Sequence, residues 1–405
     1  MELQIFLVPA AAALAPILAS IFNRAIAIPL VVFEILLGIL IGPSGFGWVA
    51  DAEILEVFSH LGVATLFFMA GSEIRLSALK GRPGRRSLGG WAVSVVLAAV
   101  AGIIIGDQIA TMAIIAIALS GTALGTISPI LRDAGLNKGP IGTAISGAGA
   151  VGEFGPLVAV TLFLSGRQPA LAAGMLTAFV AVVAITFFNL SRTRHPWFFN
   201  LIQNTLHSSA QFAVRVVMFV LLALIALALA LSVDYLLASF TAGLLAQTIL
   251  DGVPRAEREI IGMKLDGLAY GFFVPIFFVT TGVSFPLSSL LSNSTALILL
   301  PVFVVTMLIV RGLPSFFALP SGASFSDRRT VALFAATTLP LVIAVTSIGV
   351  DEGVLDESIA ASMVGAGLVT VLLFPLLALV GRKTMATEPT DEVAAEGSLP
   401  PATAE

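Results

Sequence analysis

One glutamate stands in a run with almost no other functional side chain: GTAISGAGAVGEFGPLVAVTLF, residues 142–163, carries Glu153 among glycines, alanines and aliphatics. A carboxylate in so apolar a stretch has few uses. Ionised and unpaired at membrane depth it costs several kcal/mol, so such groups face cavities and mark ion or proton paths. There it can hold a proton or a metal cation, one at the expense of the other, and oxygen ligands suit a hard monovalent cation. The alternative is a permanently protonated glutamic acid donating a hydrogen bond between helices. Hydroxyls that could complete an oxygen shell occur in LSGTALGTISPILRD (119–133), as Ser120, Thr122, Thr126 and Ser128, and in FAATTLPLVIAVTSIG (334–349), as Thr337, Thr338 and Thr346.

Few other charges fall inside apolar runs. Arg311, in VVTMLIVRGLPSFF, either snorkels to the nearer interface or supplies a fixed positive charge that salt-bridges Glu153 or a neighbouring carboxylate. Arginine keeps its proton, so it is not itself a proton carrier. Glu34, mid-way along IPLVVFEILLGILIGP, is either a structural hydrogen-bonding group or a member of the path. Glu73, Lys264 and Asp266 stand at the ends of their runs, as interface or gate charges. The three histidines, His60, His195 and His207, have no metal-ligand spacing, and the absence of cysteine excludes disulfides and thiol chemistry.

These residues need a membrane to position them. Of 405 residues 58% are hydrophobic and 11% charged, and the mean hydropathy is +1.05; soluble domains carry roughly 25% charged residues. Windows of about 20 apolar residues predict about thirteen transmembrane helices in an all-α integral membrane protein, near 3–22, 26–43, 54–74, 88–106, 109–131, 139–164, 168–190, 210–231, 234–250, 260–282, 294–317, 329–349 and 358–381. The second and ninth are the shortest. The first, with Glu2 before it and no basic residue until Arg24, reads as a retained span and not a secretory signal.

Charge sidedness supports that frame. Connections leaving odd-numbered spans hold Arg24, then Arg75 to Arg86, Arg132 and Lys138, Arg192 and Arg194, Arg255 and Arg258, and Arg328 and Arg329; the others hold mostly Asp and Glu, with Arg167 the exception. The positive-inside rule then puts the N-terminus outside and the C-terminus in the cytoplasm. Residues 1–381 form the transmembrane domain, and the acidic 382–405 read as a disordered cytoplasmic tail. No loop is long enough for a nucleotide-binding module, so an ion gradient supplies the energy or transport is passive.

A weak repeat runs through the chain. TLFFMAGSEI (65–74) in span 3 matches PIFFVTTGVSF (275–285) in span 10, and the hydroxyl-rich, proline-containing spans 5 and 12 match each other. An offset of seven spans inverts the second copy in the membrane, as in inverted-repeat transporters. Pro129 and Pro340 predict that spans 5 and 12 are discontinuous and crossed, since proline deletes a helical hydrogen bond; a simple kink is the alternative. The glycines of span 6 (Gly142, Gly147, Gly149, Gly152 and Gly155) would let it pack closely on that crossing and bring Glu153 to it.

PLVVFEILLGILIGP (29–43), LGVATLFFMAGSEI (61–74), LSGTALGTISPILRDAG (119–135) and AVGEFGPL (150–157), in this order, resemble the monovalent cation/proton antiporters over roughly residues 5–381. The resemblance is to their second branch, of NapA-type sodium/proton exchangers and Kef-type potassium efflux systems. It implies exchange of Na+ or K+ for protons with no cofactor, in a homodimer in a bacterial or archaeal inner membrane. A core of spans 5, 6, 12 and 13 would move against spans 1–3 and 8–10 on the dimerisation side.

By matching position, the essential carboxylate falls on Glu153, with Ser120, Thr122 and Thr126 beside it, and the basic residue falls on Arg311. The polar partner many relatives place before the carboxylate is replaced by Gly152. One carboxylate and one arginine imply electroneutral, one-for-one exchange. The alternative is a carrier of another small ion or an organic anion on the same scaffold. A sensor would carry an output domain, and the spans hold no paired carboxylates or Ser/His arrangement for an enzyme. Nothing points to nucleic acid.

Overall fold

The computed structural model describes residues 2–22, 28–49, 53–74, 81–164, 168–192, 201, 204–205, 211–250 and 253–380. The expected tail, 382–405, and the loop charges Arg24, Arg75, Lys80, Arg167 and Arg194 lie outside the described residues. Within them all regular structure is helical: α1 (Glu2–Phe22), α2 (Leu30–Ile41), α3 (Glu53–Ser72), α4 (Gly81–Ile105), α5 (Ile109–Leu119), α6 (Leu124–Asp133), α7 (Gly139–Phe163), α8 (Pro169–Arg192), α9 (Phe212–Ala230), α10 (Tyr235–Leu250), α11 (Arg255–Leu268), α12 (Val274–Val283), α13 (Leu287–Ser292), α14 (Ser294–Met307), α15 (Leu313–Phe316), α16 (Phe325–Ala336), α17 (Pro340–Asp351) and α18 (Glu357–Leu379). Two π-helical turns, Ala269–Phe273 and Leu308–Gly312, join α11 to α12 and α14 to α15.

Eleven helical stretches, some made of two of these helices end to end, are long and apolar enough to cross a membrane. Two shorter apolar helices, α2 and α10, fall on the second and ninth expected windows. At 12 residues, α2 is about 18 Å long, short of a hydrocarbon core of about 30 Å.

Two stretches are interrupted. Between α5 and α6 the chain leaves the helix at Ser120–Ala123, and between α16 and α17 at Thr337–Leu339. Backbone groups freed at membrane depth need partners, and the two breaks supply one another: Ala123 N donates to Thr337 O at 3.0 Å. Thr370 of α18 closes the second break, its hydroxyl donating to Thr338 O (3.1 Å) and accepting from Thr338 N (3.3 Å).

Pro340 stands where expected, at the start of α17, where its missing N–H has no helical partner to lose. Pro129 does not mark a break. It lies inside α6, beyond the interruption, and the carbonyl it frees four residues back, on Gly125, accepts from Tyr270 Oη at 3.2 Å. With that carbonyl satisfied the helix runs on through the proline. The break before it falls at Ser120-Gly121, two residues that hold a helix poorly.

Helix α3 packs on α10 and α12, and α2 on α1 and α12. Gly38 and Gly282 face each other across α2 and α12 so closely that a Cβ on either would run into the other helix's backbone. A second set packs α4 on α5 and α7, α17 on α5, and α16 and α14 on α18. The broken pair α5/α6 also contacts α7, and α6 touches α3; the buried carboxylate lies at that junction.

Candidate functional site

Glu153 is on α7 and 3% exposed. Its Oε1 lies 3.4 Å from the N–H of Gly125, in the first turn of α6. The first N–H groups of a helix have no partner within it and carry partial positive charge, so the start of α6 favours an anion there. The other oxygen, Oε2, is buried with no hydrogen-bond partner among the described residues. Two hydroxyls near the breaks share that state: Oγ1 of Thr126, on α6 beside Gly125, and Oγ1 of Thr338.

A second proline shapes the place. Pro156 lies inside α7, and having no N–H it cannot bond the carbonyl of Gly152 four residues back. That carbonyl accepts from Thr122 N at 3.1 Å, tying the first break to α7 one residue before Glu153.

Arg311, on the second π-helical turn, is only 1% exposed. It neither reaches an interface nor pairs with Glu153: no ion pair joins the two among the described residues. Its Nε and Nη2 donate to Thr122 Oγ1 at 2.9 and 2.7 Å, Nη2 also to Ala148 O at 2.9 Å, and Nη1 to Ser94 Oγ of α4 at 3.2 Å. Thr122 Oγ1 in turn donates to Ala335 O, at the end of α16, at 2.5 Å. The guanidinium therefore holds three helices around the first break and does not neutralise the carboxylate. The expected salt bridge is absent among the described residues because the groups bonded to the guanidinium are hydroxyls and a carbonyl.

The other expected residues divide. Ser120 donates its hydroxyl to Ile117 O of the preceding helix at 2.9 Å, and no bond joins it to Glu153 among the described residues. Of the span-6 glycines, Gly149 and Gly152 face Leu124 and Thr122 of the broken span, whereas Gly155 faces Trp91 of α4. Glu73, at the end of α3, pairs with Arg132 of α6, which also reaches Asp266 of α11 at 3.2 Å. Glu34 lines a cavity of about 980 Å³ that also reaches Gly125, Thr126, Tyr270, Arg132 and Asp266.

Ser94, Tyr270 and Thr370 were not foreseen. Tyr270 and Arg311 each sit on a π-helical turn, a feature frequent at functional sites. The prolines offered one usable signal: each marks the carbonyl four residues earlier as needing an outside donor. Together these groups make a buried carboxylate with one oxygen on a helix N-terminus and the other free, beside interrupted backbone and a cavity. Such a place can exchange a small cation for a proton.

The family model described as "Sodium/hydrogen exchanger, transmembrane" matches residues 10–379. The Bacillus subtilis (strain 168) protein YjbQ is 26% identical over 385 residues, 90% of this chain, and the chain spans 60% of that protein's length. The Na(+)/H(+)-K(+) antiporter GerN of Bacillus cereus is 25% identical over 93% of this chain and 95% of its own. The Na(+)/H(+) antiporter of Enterococcus hirae is 24% identical over 89% and 93%. Among solved structures, the sodium proton antiporter MjNhaP1 from Methanocaldococcus jannaschii superposes with a TM-score of 0.64 at 15% identity, covering 93% of this chain and 96% of that one, a likeness of fold.

Proposed function

The chain belongs to the sodium/hydrogen exchanger transmembrane family, and on that premise we propose that it is a secondary active transporter exchanging a monovalent cation, Na+ or K+, for protons. The observation that carries this reading is the state of Glu153: buried, one oxygen on the N–H of Gly125, the other without a partner. Neutral when protonated and neutral overall when a cation sits on it, the carboxylate is acceptable at membrane depth in either loaded form. It is costly when empty. That difference favours a carrier that crosses loaded and makes cation and proton competitors for one group.

In this reading Thr126 supplies a further oxygen to the cation, Thr122 and Arg311 fix the first break, and Thr338 with Pro340 shapes the second. Arg311 keeps its charge throughout, so within the moving core only Glu153 changes occupant and the exchange is electroneutral. The ions are cargo, and the reading invokes no cofactor and no enzymatic step. Basic residues in the connections leaving odd-numbered spans favour an N-out, C-in orientation, and we assign the protein to the inner membrane of a bacterium or archaeon. The set of α5, α6, α7, α16, α17 and α18 would form the moving core. The set of α1–α3 and α9–α12 would form the static side that pairs two copies. Transport of an organic anion is disfavoured, since Arg311 commits all three of its nitrogens to protein oxygens.

The test is proton flux in proteoliposomes on addition of Na+, K+ or Li+, for wild type and Glu153→Gln. Cation-driven flux in wild type and its loss in the variant are the expected results; equal flux in both would remove Glu153 from the mechanism. A flux that carries current at saturating cation would contradict one-for-one exchange.

A further inference from the structure

Glu34 is the fifth residue of α2, about 6 Å along the axis from the helix start. It is 3% exposed and makes no hydrogen bond or ion pair with any described residue. A purely structural glutamate in this position would bridge two helices; this one bridges none. Its surroundings give the carboxyl no partner. Helix α12, packed closest on α2, carries no ionisable residue, and α1 and α18 begin with theirs, Glu2 and Glu357, at the ends away from the start of α2.

What Glu34 does face is the cavity. One end of that cavity is formed by Arg132, Gly135 and Asp266, at the membrane face where α6 ends and α11 runs; the other reaches Gly125 and Thr126. The N–H of Gly125 is the group on Glu153 Oε1. The charged and titratable groups sharing the cavity already have partners: Arg132 holds Asp266 and Glu73, and Tyr270 donates to Gly125 O. Glu34 is thus a carboxylate without a counter-charge among the described residues, on the wall of a cavity that runs from that face to Gly125, whose N–H meets Glu153.

We propose that Glu34 is a second carboxylate station on this path, holding the transported monovalent cation, or a proton in its place, between the Arg132–Asp266 face and Glu153. This station presupposes the antiport reading and adds a binding site to it. Because α2 is locked to α12 through Gly38 and Gly282, the station stays with the static side while Glu153 travels. It concentrates cation at the inner mouth and adds no net charge to the transported complex.

Carbodiimide reacts with protonated buried carboxyl groups, so the adduct on the Glu34 peptide, measured by mass spectrometry on the full chain, reports its occupant without any flux. At fixed pH, NaCl or KCl in place of choline chloride is expected to lower that labelling roughly threefold or more by mass action, in wild type and in Glu153→Gln alike. Labelling indifferent to both cations overturns the station. In sided proteoliposomes Glu34→Gln is expected to raise the apparent KM for Na+ roughly fivefold or more on the Arg132–Asp266 face only, with kcat nearly unchanged and Glu34→Asp recovering most of the loss. A fall in kcat at constant KM means a packing role and also overturns it. Failure of the antiport reading looks different: full flux in Glu153→Gln, with protection of Glu34 still readable.

Discussion

Gly152 and Arg311 share one space: a Cβ on residue 152 would lie 2.5 Å from Nη2 of Arg311 and 3.0 Å from both Cβ and Oγ1 of Thr122. The glycine that stands where antiporters of the resembled branch often carry a polar residue is therefore no vacancy. Its missing side chain is the seat of the guanidinium, which reaches Thr122 and the Ala148 carbonyl across it.

Gly152→Ala is accordingly expected to destabilise the protein by about 1–3 kcal/mol, the usual cost of overpacking, read as a lowered melting temperature in detergent. The coupling should be specific. In an Arg311→Lys background, where the fork is gone, the same alanine should cost clearly less, because residues in contact are not additive. Equal costs in the two backgrounds would mean that the two residues do not compete for this space.

Much of the architecture is legible in sequence because hydropathy windows report membrane depth, and depth is what Glu153, Arg311 and Glu34 needed. What the windows do not report is azimuth. In helices apolar on all faces no moment points to a neighbour, so nothing marked Ser94 as a partner of Arg311 or Tyr270 as a partner of Gly125. The same limit misplaces the charge pairing: sign and depth offer Arg311 the Glu153 carboxylate or a neighbouring one, whereas packing puts hydroxyls and a carbonyl at the guanidinium. Pro129 misled for a different reason. A proline states that a carbonyl is free, and only the fold decides whether the helix breaks or a tyrosine answers it.

Arg132 bridges Glu73, just past the end of α3, and Asp266 of α11, and its side chain is 42% exposed. The Glu73 side chain is 16% exposed, and a pair still open to solvent at its arginine contributes about 0.2–1 kcal/mol. A double-mutant cycle with Arg132→Ala and Glu73→Gln is expected to give a coupling in that range by thermal melting. The coupling should vanish at about 1 M salt, where the screening length is about 3 Å. A coupling that survives high salt would mean that the pair is sealed from solvent.

Asp356 begins α18 as its N-cap, with Oδ1 accepting from Ser358 N at 2.8 Å and from the Ser358 hydroxyl. These bonds favour the ionised form and hold the carboxyl below its ordinary value of 3.8. The folded value is the lower one, so the stabilisation is complete above the unfolded value and disappears as pH falls through the folded one. Asp356→Ala is expected to cost about 1 kcal/mol at neutral pH. Wild type and variant melting temperatures should converge below about pH 4; a gap constant down to pH 3 or so would show that the charged cap is not its source.

Tyr270 gives the carbonyl of Gly125 the donor that Pro129 cannot, at 3.2 Å, while the N–H of the same residue meets Glu153. Removing only the hydroxyl, as in Tyr270→Phe, leaves that carbonyl without a donor beside the proline, at a cost of about 1–3 kcal/mol if water does not replace it. The loss should appear at the first turn of α6, and so in how firmly its N–H groups hold the carboxylate. Tyr270→Phe is expected to raise the apparent KM for the cation several-fold and to shift the pH profile of flux, with expression and oligomeric state unchanged. Pro129→Ala restores an N–H able to reach Gly125 O, so in its background the tyrosine should matter less. A Tyr270→Phe variant with wild-type KM and pH profile would separate Gly125 from the control of Glu153.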